Sequence, residues 1–212
     1  MSHTTIAAFD FDGTLTQRDS VVPFLRRFTT TGRFAVSLLP HTLRLVPMAA
    51  CRDRDRLRAL ATQLVFAGRS ATDVDEQARV WGAELAASAL RADTSARLAW
   101  HLAEGHRVVI VSASYEGYVR VVADVLSRGD DRVEVVATRL EVVDGVCTGL
   151  LHGPNCRGPE KVRRLEAWLA SRQLDRSEVT LYAYGDSNGD REMLAWADHP
   201  HWVNEPLASV AP

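Results

Sequence analysis

Two aspartates one residue apart, Asp10 and Asp12, close the apolar run in AAFDFDGTLT, with Gly13, Thr14 and Thr16 behind them. Like charges at the end of a buried strand are costly unless something charged organises them. A second acidic pair, Asp186 and Asp190, lies late in the chain in GDSNGD. Ser112 follows the hydrophobic run RVVIV, and Lys161 lies in GPEKVRR, ahead of the VTLYAY that leads into Asp186. Residues of these types suit work on an anion. A hydroxyl and an ammonium can hold and neutralise its oxygens, and carboxylates can act as bases, nucleophiles or ligands for a hard cation. Each also has a plainer reading. Asp-x-Asp-Gly is turn chemistry, Ser112 and Asp190 are good helix N-caps, and Lys161 has Arg163 and Arg164 as company on a solvated helix face.

What makes the set more than a coincidence is where the elements put it. Thr5–Phe11 reads as a buried strand, and Val21–Phe28 as a helix. From Gly32 to about Leu90 there is no strand pattern. Apolar residues recur at helical spacing (Leu38, Leu39, Leu43; Leu57, Leu60, Leu64; Val80, Trp81, Leu85), which predicts three or four helices. After that the chain alternates. A helix is expected over Ser95–Glu104, a strand over Arg107–Val111, a helix over Tyr115–Ser127 and a strand over Val133–Ala137. A hairpin of Leu140–Val143 with Val146–Leu150 turns on Asp144-Gly145. A helix over Lys161–Arg172, a strand over Val179–Tyr184, a helix over Asp190–Ala197 and a short strand over His201–Val203 complete the series. The pattern predicts an α/β fold: a core with a parallel sheet, interrupted after its first strand by an inserted helical module. In a parallel sheet the carboxyl ends of all strands share one edge, and ligands bind there. That edge would collect Asp10, Asp12, Ser112, Asp186 and Asp190.

The 212 residues are 46% hydrophobic and 25% charged with a net charge of −2, so a full core is attainable and nothing draws the chain globally to nucleic acid. Three cysteines (Cys51, Cys147, Cys156) form no C-x-x-C pair. An odd number without a motif argues against a disulfide framework and for a cytoplasmic setting. The N-terminus runs straight into the first strand, so no signal peptide is expected. The longest apolar stretch, residues 34–50, is broken by Pro40, His41, Arg44 and Pro47, too interrupted to span a bilayer.

Asp-x-Asp-Gly-Thr at 10–14, Ser112 after a hydrophobic strand, Lys161, and Gly-Asp-x-x-x-Asp at 185–190 together resemble the four motifs of the haloacid dehalogenase (HAD) superfamily of phosphohydrolases. The helical insert between the first two motifs resembles subfamily IB, the phosphoserine phosphatase-like group. So do GHRVVIVSAS, ATRLEV, GPNCRGPEKVRRL and AYGDSNGD, and the resemblance covers nearly the whole chain. It implies a Rossmann-like HAD core of residues 1–18 and 91–212 and a helical C1 cap of residues 19–90. One departure stands out: phosphoserine phosphatases usually carry Asn directly before the second acid of the fourth motif, where this chain has Gly189 after Asn188.

The resemblance further implies a Mg²⁺-dependent phosphomonoesterase. Asp10 and Asp186 would bind the metal through carboxylates and Asp12 through its backbone carbonyl. Asp10 would be the nucleophile that forms an aspartyl-phosphate, and Asp12 the acid that protonates the leaving alkoxide and then activates water. Ser112 and the N–H of Ala113 would hold phosphoryl oxygens, backbone groups around Gly13 would cradle phosphate, Lys161 would neutralise charge, and Asp190 would support Lys161 or the metal. A small phosphorylated metabolite is the expected partner. Asp19 stands about where phosphoserine phosphatases grip the substrate ammonium, and it could equally cap the following helix. A carboxylate would need a cap arginine, with Arg26, Arg27, Arg33, Arg44, Arg52, Arg54, Arg56 and Arg58 all available. The alternatives are a lipid headgroup phosphatase that uses the 34–50 run as a membrane contact, a phosphotransferase, and a phosphate-binding module without catalysis. Asp12 argues against a dehalogenase, since those enzymes lack that residue.

Overall fold

The computed structural model describes residues 4–29 and 54–203. Its elements in chain order are β1 (Thr4–Phe9), α1 (Val21–Arg26), α2 (Arg54–Phe66), α3 (Ala71–Ser88), α4 (Ala92–Ala103), β2 (Arg107–Tyr115), α5 (Glu116–Ser127), β3 (Val133–Thr138), β4 (Leu140–Val143), β5 (Val146–Leu151), α6 (Pro159–Ser171), β6 (Val179–Gly185), α7 (Arg191–Trp196) and β7 (His199–Trp202). The five strands β3-β2-β1-β6-β7 form one sheet in that order, all pairs parallel, and β4 with β5 makes a separate antiparallel hairpin. The hairpin turns where expected: Asp144 and Gly145 both have positive φ, at 50° and 76°.

Alternate residues of the central strands face two different cores, as a sheet covered on both sides requires. Ala7 and Phe9 of β1 with Val108 and Ile110 of β2 join Leu98 of α4 and Val119 and Val122 of α5 on one face. Ile6, Ala8, Val109 and Val111 join Leu165, Trp168 and Leu169 of α6 and Met193 and Leu194 of α7 on the other.

Several boundaries move from the sequence reading, each for a local reason. Strand β2 runs on to Tyr115 because β3 pairs with it that far, past an irregularity between Ser112 and Tyr115. Helix α6 begins at Pro159 rather than Lys161, since proline is well suited to a first helical position. Helix α4 begins at Ala92 rather than Ser95, with the Ser95 N–H already bonded to the Arg91 carbonyl. The apolar run 34–50, Cys51 and the side chains of Arg33, Arg44, Arg52 and Arg54 lie outside the described residues. Cys147 and Cys156 are buried free thiols. Among the described residues no helix is long and apolar enough to cross a membrane.

The chain leaves and re-enters the sheet region at one point. Thr16 pairs antiparallel with Leu90, Gln17 N donates to Ala89 O at 2.8 Å, and Arg91 N donates to Leu15 O at 2.9 Å. Helix α3 is seated on α5 so closely that a Cβ on Gly82 would lie 2.6 Å from the Val121 Cβ.

Beneath β6 sits a fully buried histidine, His101 of α4. Its Nε2 shares a hydrogen bond with the Tyr184 hydroxyl and its Nδ1 one with His106 Nδ1, both at 2.9 Å. Burial, with His106, Arg97 and His201 nearby, pushes its pKa down to about 3. The unfolded chain therefore takes up a proton here below about pH 6.5 that the folded chain refuses. The stabilising contribution is complete above that pH and shrinks as pH falls towards 3. Between pH 6.5 and 5, His101 alone should cost the fold about 2 kcal/mol. Urea unfolding across that range tests this: His101→Gln should show the shallower loss, and equal slopes would refute the assignment.

Candidate active site

Three strand ends and one helix start build the site. The ladder between β1 and β6 continues one residue past Phe9, with Asp10 N donating to Tyr184 O at 2.9 Å, so Asp10 sits at the carboxyl edge of the sheet. Phe11 turns into the core and is fully buried. The loop after β6 carries Asp186 and Asp190, and Gly158 N donates to Gly189 O at 2.9 Å, tying the start of α6 to that loop. This brings Lys161, in the first turn of α6, beneath the aspartates.

Lys161 is 1% exposed, and its Nζ donates to Asp10 Oδ1 at 2.5 Å and to Asp190 Oδ1 at 2.6 Å. The other oxygen of Asp190 accepts from Ser187 N and Ser187 Oγ. Asp190 precedes α7 but makes no side-chain cap there, because its carboxylate is turned to the lysine. Burial works against the charge on Lys161, but Asp10 and Asp190 outweigh it and hold its pKa above the ordinary lysine value. Burial pushes the Asp10 carboxyl up to about 7 against the pull of Lys161, with Asp190 and Asp12 adding to the rise.

Carboxylate oxygens of Asp10, Asp186 and Asp190 lie within 4.8 Å of one another. Three carboxylates against one ammonium give this cluster a formal charge of −2 when all are ionised. A Cβ on Gly13 (φ +79°) would lie 2.2 Å from Asp186 Oδ2, so only glycine lets the first loop pass that carboxylate. Burial, then Asp190, raises the Asp186 pKa. An oxygen-only donor set with a charge deficit of two fits a hard dication.

Asp12 faces away from this cluster. Its Oδ2 accepts from Ser114 Oγ at 2.5 Å and its Oδ1 from Ser20 N at 3.0 Å. Ser20 is fixed in turn: its carbonyl accepts from Trp81 Nε1 of α3 at 3.2 Å, and its hydroxyl donates to Tyr118 at 2.9 Å. Burial raises the Asp12 carboxyl to about 6 against these hydrogen bonds. A carboxyl that titrates near neutrality can give up a proton and take it back.

Ser112 is buried, and its Oγ accepts from Ser114 N at 3.0 Å. Asp10, Asp12, Gly13, Asp19, Ser112, Ala113, Asp186 and Asp190 all line one cavity of about 330 Å³. Every site residue expected from the sequence and lying in the described region reaches that cavity except Lys161, which is buried behind Asp10. Asp19 is exposed on the rim, and its Oδ2 accepts from Val22 N at 3.0 Å, so it also performs the capping role. Of the arginines available in the insert, Arg58 is the one among the described residues that lines the cavity, and it donates to Ala113 O at 3.0 Å.

The sequence reading gave no role to Ser114, Ser20, Asn155 or Arg157. Ser114 had a signal: two residues after Ser112 on a strand, it repeats the spacing of Asp10 and Asp12 and points the same way. Ser20 and Asn155 act across the fold (Asn155 Nδ2 donates to Asp55 Oδ1 of α2 at 2.7 Å) and have no local pattern.

A sequence profile of the haloacid dehalogenase-like hydrolases matches residues 7–195. The chain is 36% identical over 195 residues to Protein CicA of Caulobacter vibrioides, covering 91% of this chain and 83% of that protein. It is 31% identical over 210 residues to the Inhibition of morphological differentiation protein of Streptomyces azureus, covering 96% and 73% respectively. Among solved structures, a protein of unknown function from Bordetella pertussis Tohama I is similar with a TM-score of 0.67 at 24% identity, over 91% of this chain and 86% of that one. An apo phosphoserine phosphatase is similar with a TM-score of 0.60 at 17% identity, over 92% and 83%. At these identities the structural likeness speaks to the fold.

Proposed function

The chain belongs to the haloacid dehalogenase-like hydrolase family, and on that premise we propose that it is a Mg²⁺-dependent phosphomonoester hydrolase that works through an aspartyl-phosphate on Asp10. The observation that carries this reading is the buried Asp10–Lys161–Asp190 trio beside Asp186, with a separately held Asp12 opening on the same cavity. In this reading one carboxylate attacks and another handles the proton.

Asp10 Oδ1 is taken by Lys161, which leaves Oδ2 as the attacking atom. The Asp10–phosphorus bond forms as the bond to the leaving alkoxide breaks, and protonated Asp12 gives that alkoxide its proton. Asp12, now ionised, takes a proton from water as the water oxygen attacks phosphorus, and the Asp10–phosphorus bond breaks to release inorganic phosphate. Ser112 Oγ and the Ala113 N–H hold phosphoryl oxygens, and Lys161 keeps Asp10 in line. The carboxylates of Asp10 and Asp186 with the Asp12 carbonyl would hold Mg²⁺, which when bound supplies charge screening between an anionic nucleophile and an anionic substrate.

We assign residues 1–18 and 91–212 to the core and 19–90 to a cap whose base is the Thr16–Leu90 pairing. Asp19, exposed on the rim, suits a small metabolite with an ammonium, as in phosphoserine, and Arg58 braces the Ala113 carbonyl on the same cavity.

Phosphate release from phosphoserine, histidinol phosphate, phosphatidylglycerophosphate and an aryl phosphate, with Mg²⁺ and with EDTA, tests the reading. We expect release from a small ester that stops with EDTA and returns with Mg²⁺. Preference for the lipid would move the assignment to a headgroup phosphatase. No release from any of the four would overturn it.

A further inference from the structure

Arg157 has no part in the chemistry above, yet it lines the same cavity, on the side of Asp186, Ser187 and Gly189. It lies in the loop between the hairpin and α6. It is half-buried, and among the described residues its guanidinium has neither a hydrogen-bond nor an ion-pair partner. Its place depends on Gly189: a Cβ on residue 189 would lie 3.1 Å from Arg157 Nε and 3.2 Å from its Cγ. With no side chain on residue 189, the Arg157 stem lies across that position, which puts a positive charge in the cavity wall. The backbone supports the placement, since Arg157 N donates to Asn155 O at 2.7 Å and Gly158 N to Gly189 O at 2.9 Å.

An unpartnered guanidinium in a concave site, with five N–H donors and no acceptor of its own, can receive carboxylate or phosphate oxygens. The transferring phosphoryl group already has Lys161, Ser112 and Ala113. We infer that Arg157 binds a second anionic group of the substrate, making it a specificity-determining residue for phosphate esters that carry a further carboxylate or phosphate. This rests on the phosphohydrolase reading for the place of the first phosphate. If Arg157 merely steadied the Asp186 loop, its loss would affect all esters alike.

The test begins with binding in an Asp10→Asn background, read by calorimetry with Mg²⁺. The probes are 2-phosphoglycolate (a carboxylate as second anion), fructose 1,6-bisphosphate (a phosphate as second anion) and methyl phosphate (none). At least one two-anion ester should bind roughly tenfold to a hundredfold tighter than methyl phosphate, as expected for a charge-assisted hydrogen-bonded pair. Which of the two is preferred identifies the second group. Adding Arg157→Ala should abolish the preference, and Arg157→Lys should restore part of it. In the otherwise wild-type enzyme, Arg157→Ala should raise KM for the preferred ester by the same factor and leave an aryl phosphate unchanged. Absence of any two-anion preference, or its survival in Arg157→Ala, overturns the inference. A wild-type chain that shows the preference but hydrolyses none of these esters would strike down the phosphohydrolase reading and leave this one standing.

Discussion

Asp10→Asn should lower kcat by at least about 10⁴-fold, the scale on which enzymes lose rate when a nucleophile is removed. The amide keeps the shape of the carboxyl but cannot attack phosphorus. The fold should survive, because burial already disfavours the charge on Asp10, and Lys161 keeps Asp190 as a partner. The unfolding midpoint should therefore shift by no more than about 1 kcal/mol in free energy, the net worth of an ordinary hydrogen bond. A second readout separates this mechanism from direct attack by water. Acid-quenched wild-type enzyme should hold substrate-derived phosphate covalently on residue 10, and the variant should hold none. Turnover by Asp10→Asn near the wild-type rate would dismiss the covalent route.

Lys161→Met should damage both activity and stability. Methionine fills similar volume, but it leaves the Asp10 and Asp190 carboxylates, both bonded to one Nζ in the native chain, buried side by side without a counter-charge. Breaking a buried pair by removing one partner costs about 3–5 kcal/mol. For a chain of this size that is a fall in midpoint of roughly 10 °C. The double variant Asp10→Asn with Lys161→Met removes one of the stranded charges and should recover part of the loss, a non-additivity expected only of groups in direct contact. Urea unfolding of the four proteins closes the cycle. Strictly additive losses would mean that Lys161 and Asp10 do not interact as described.

The parts of the site that could be read from sequence follow rules of local spacing. Asp10 and Asp12 announce themselves because two like charges stand at the end of an apolar strand with a glycine at the turn behind them. Asp186 and Asp190 do so because a loop after a buried strand seldom carries two acids without cause. Parallel strands share one carboxyl edge, which brings Ser112 to the edge that holds Asp10 wherever the intervening helices go. What stayed hidden depends on contacts between distant segments. Ser20 holds Asp12 only because Trp81 and Tyr118 hold Ser20. Arg58 was one of eight arginines until α2 was laid against the end of β2. Arg157 has no local pattern around it, and the space left by Gly189 shows where it goes. The helix starts at Pro159 and Ala92 were missed because Gly158 and Arg91, just ahead of them, make no side-chain cap.

The seat of α3 on α5 has a bearing on heredity. Gly82 does not line the cavity, yet any larger residue there must push α3 away from Val121. One residue before it, Trp81 holds Ser20, and Ser20 holds Asp12, the proposed proton carrier. A blind genetic screen for dead enzyme would thus recover changes at this quiet glycine beside the aspartates themselves. A geneticist ranking positions by severity alone would draw the active site one helix too wide.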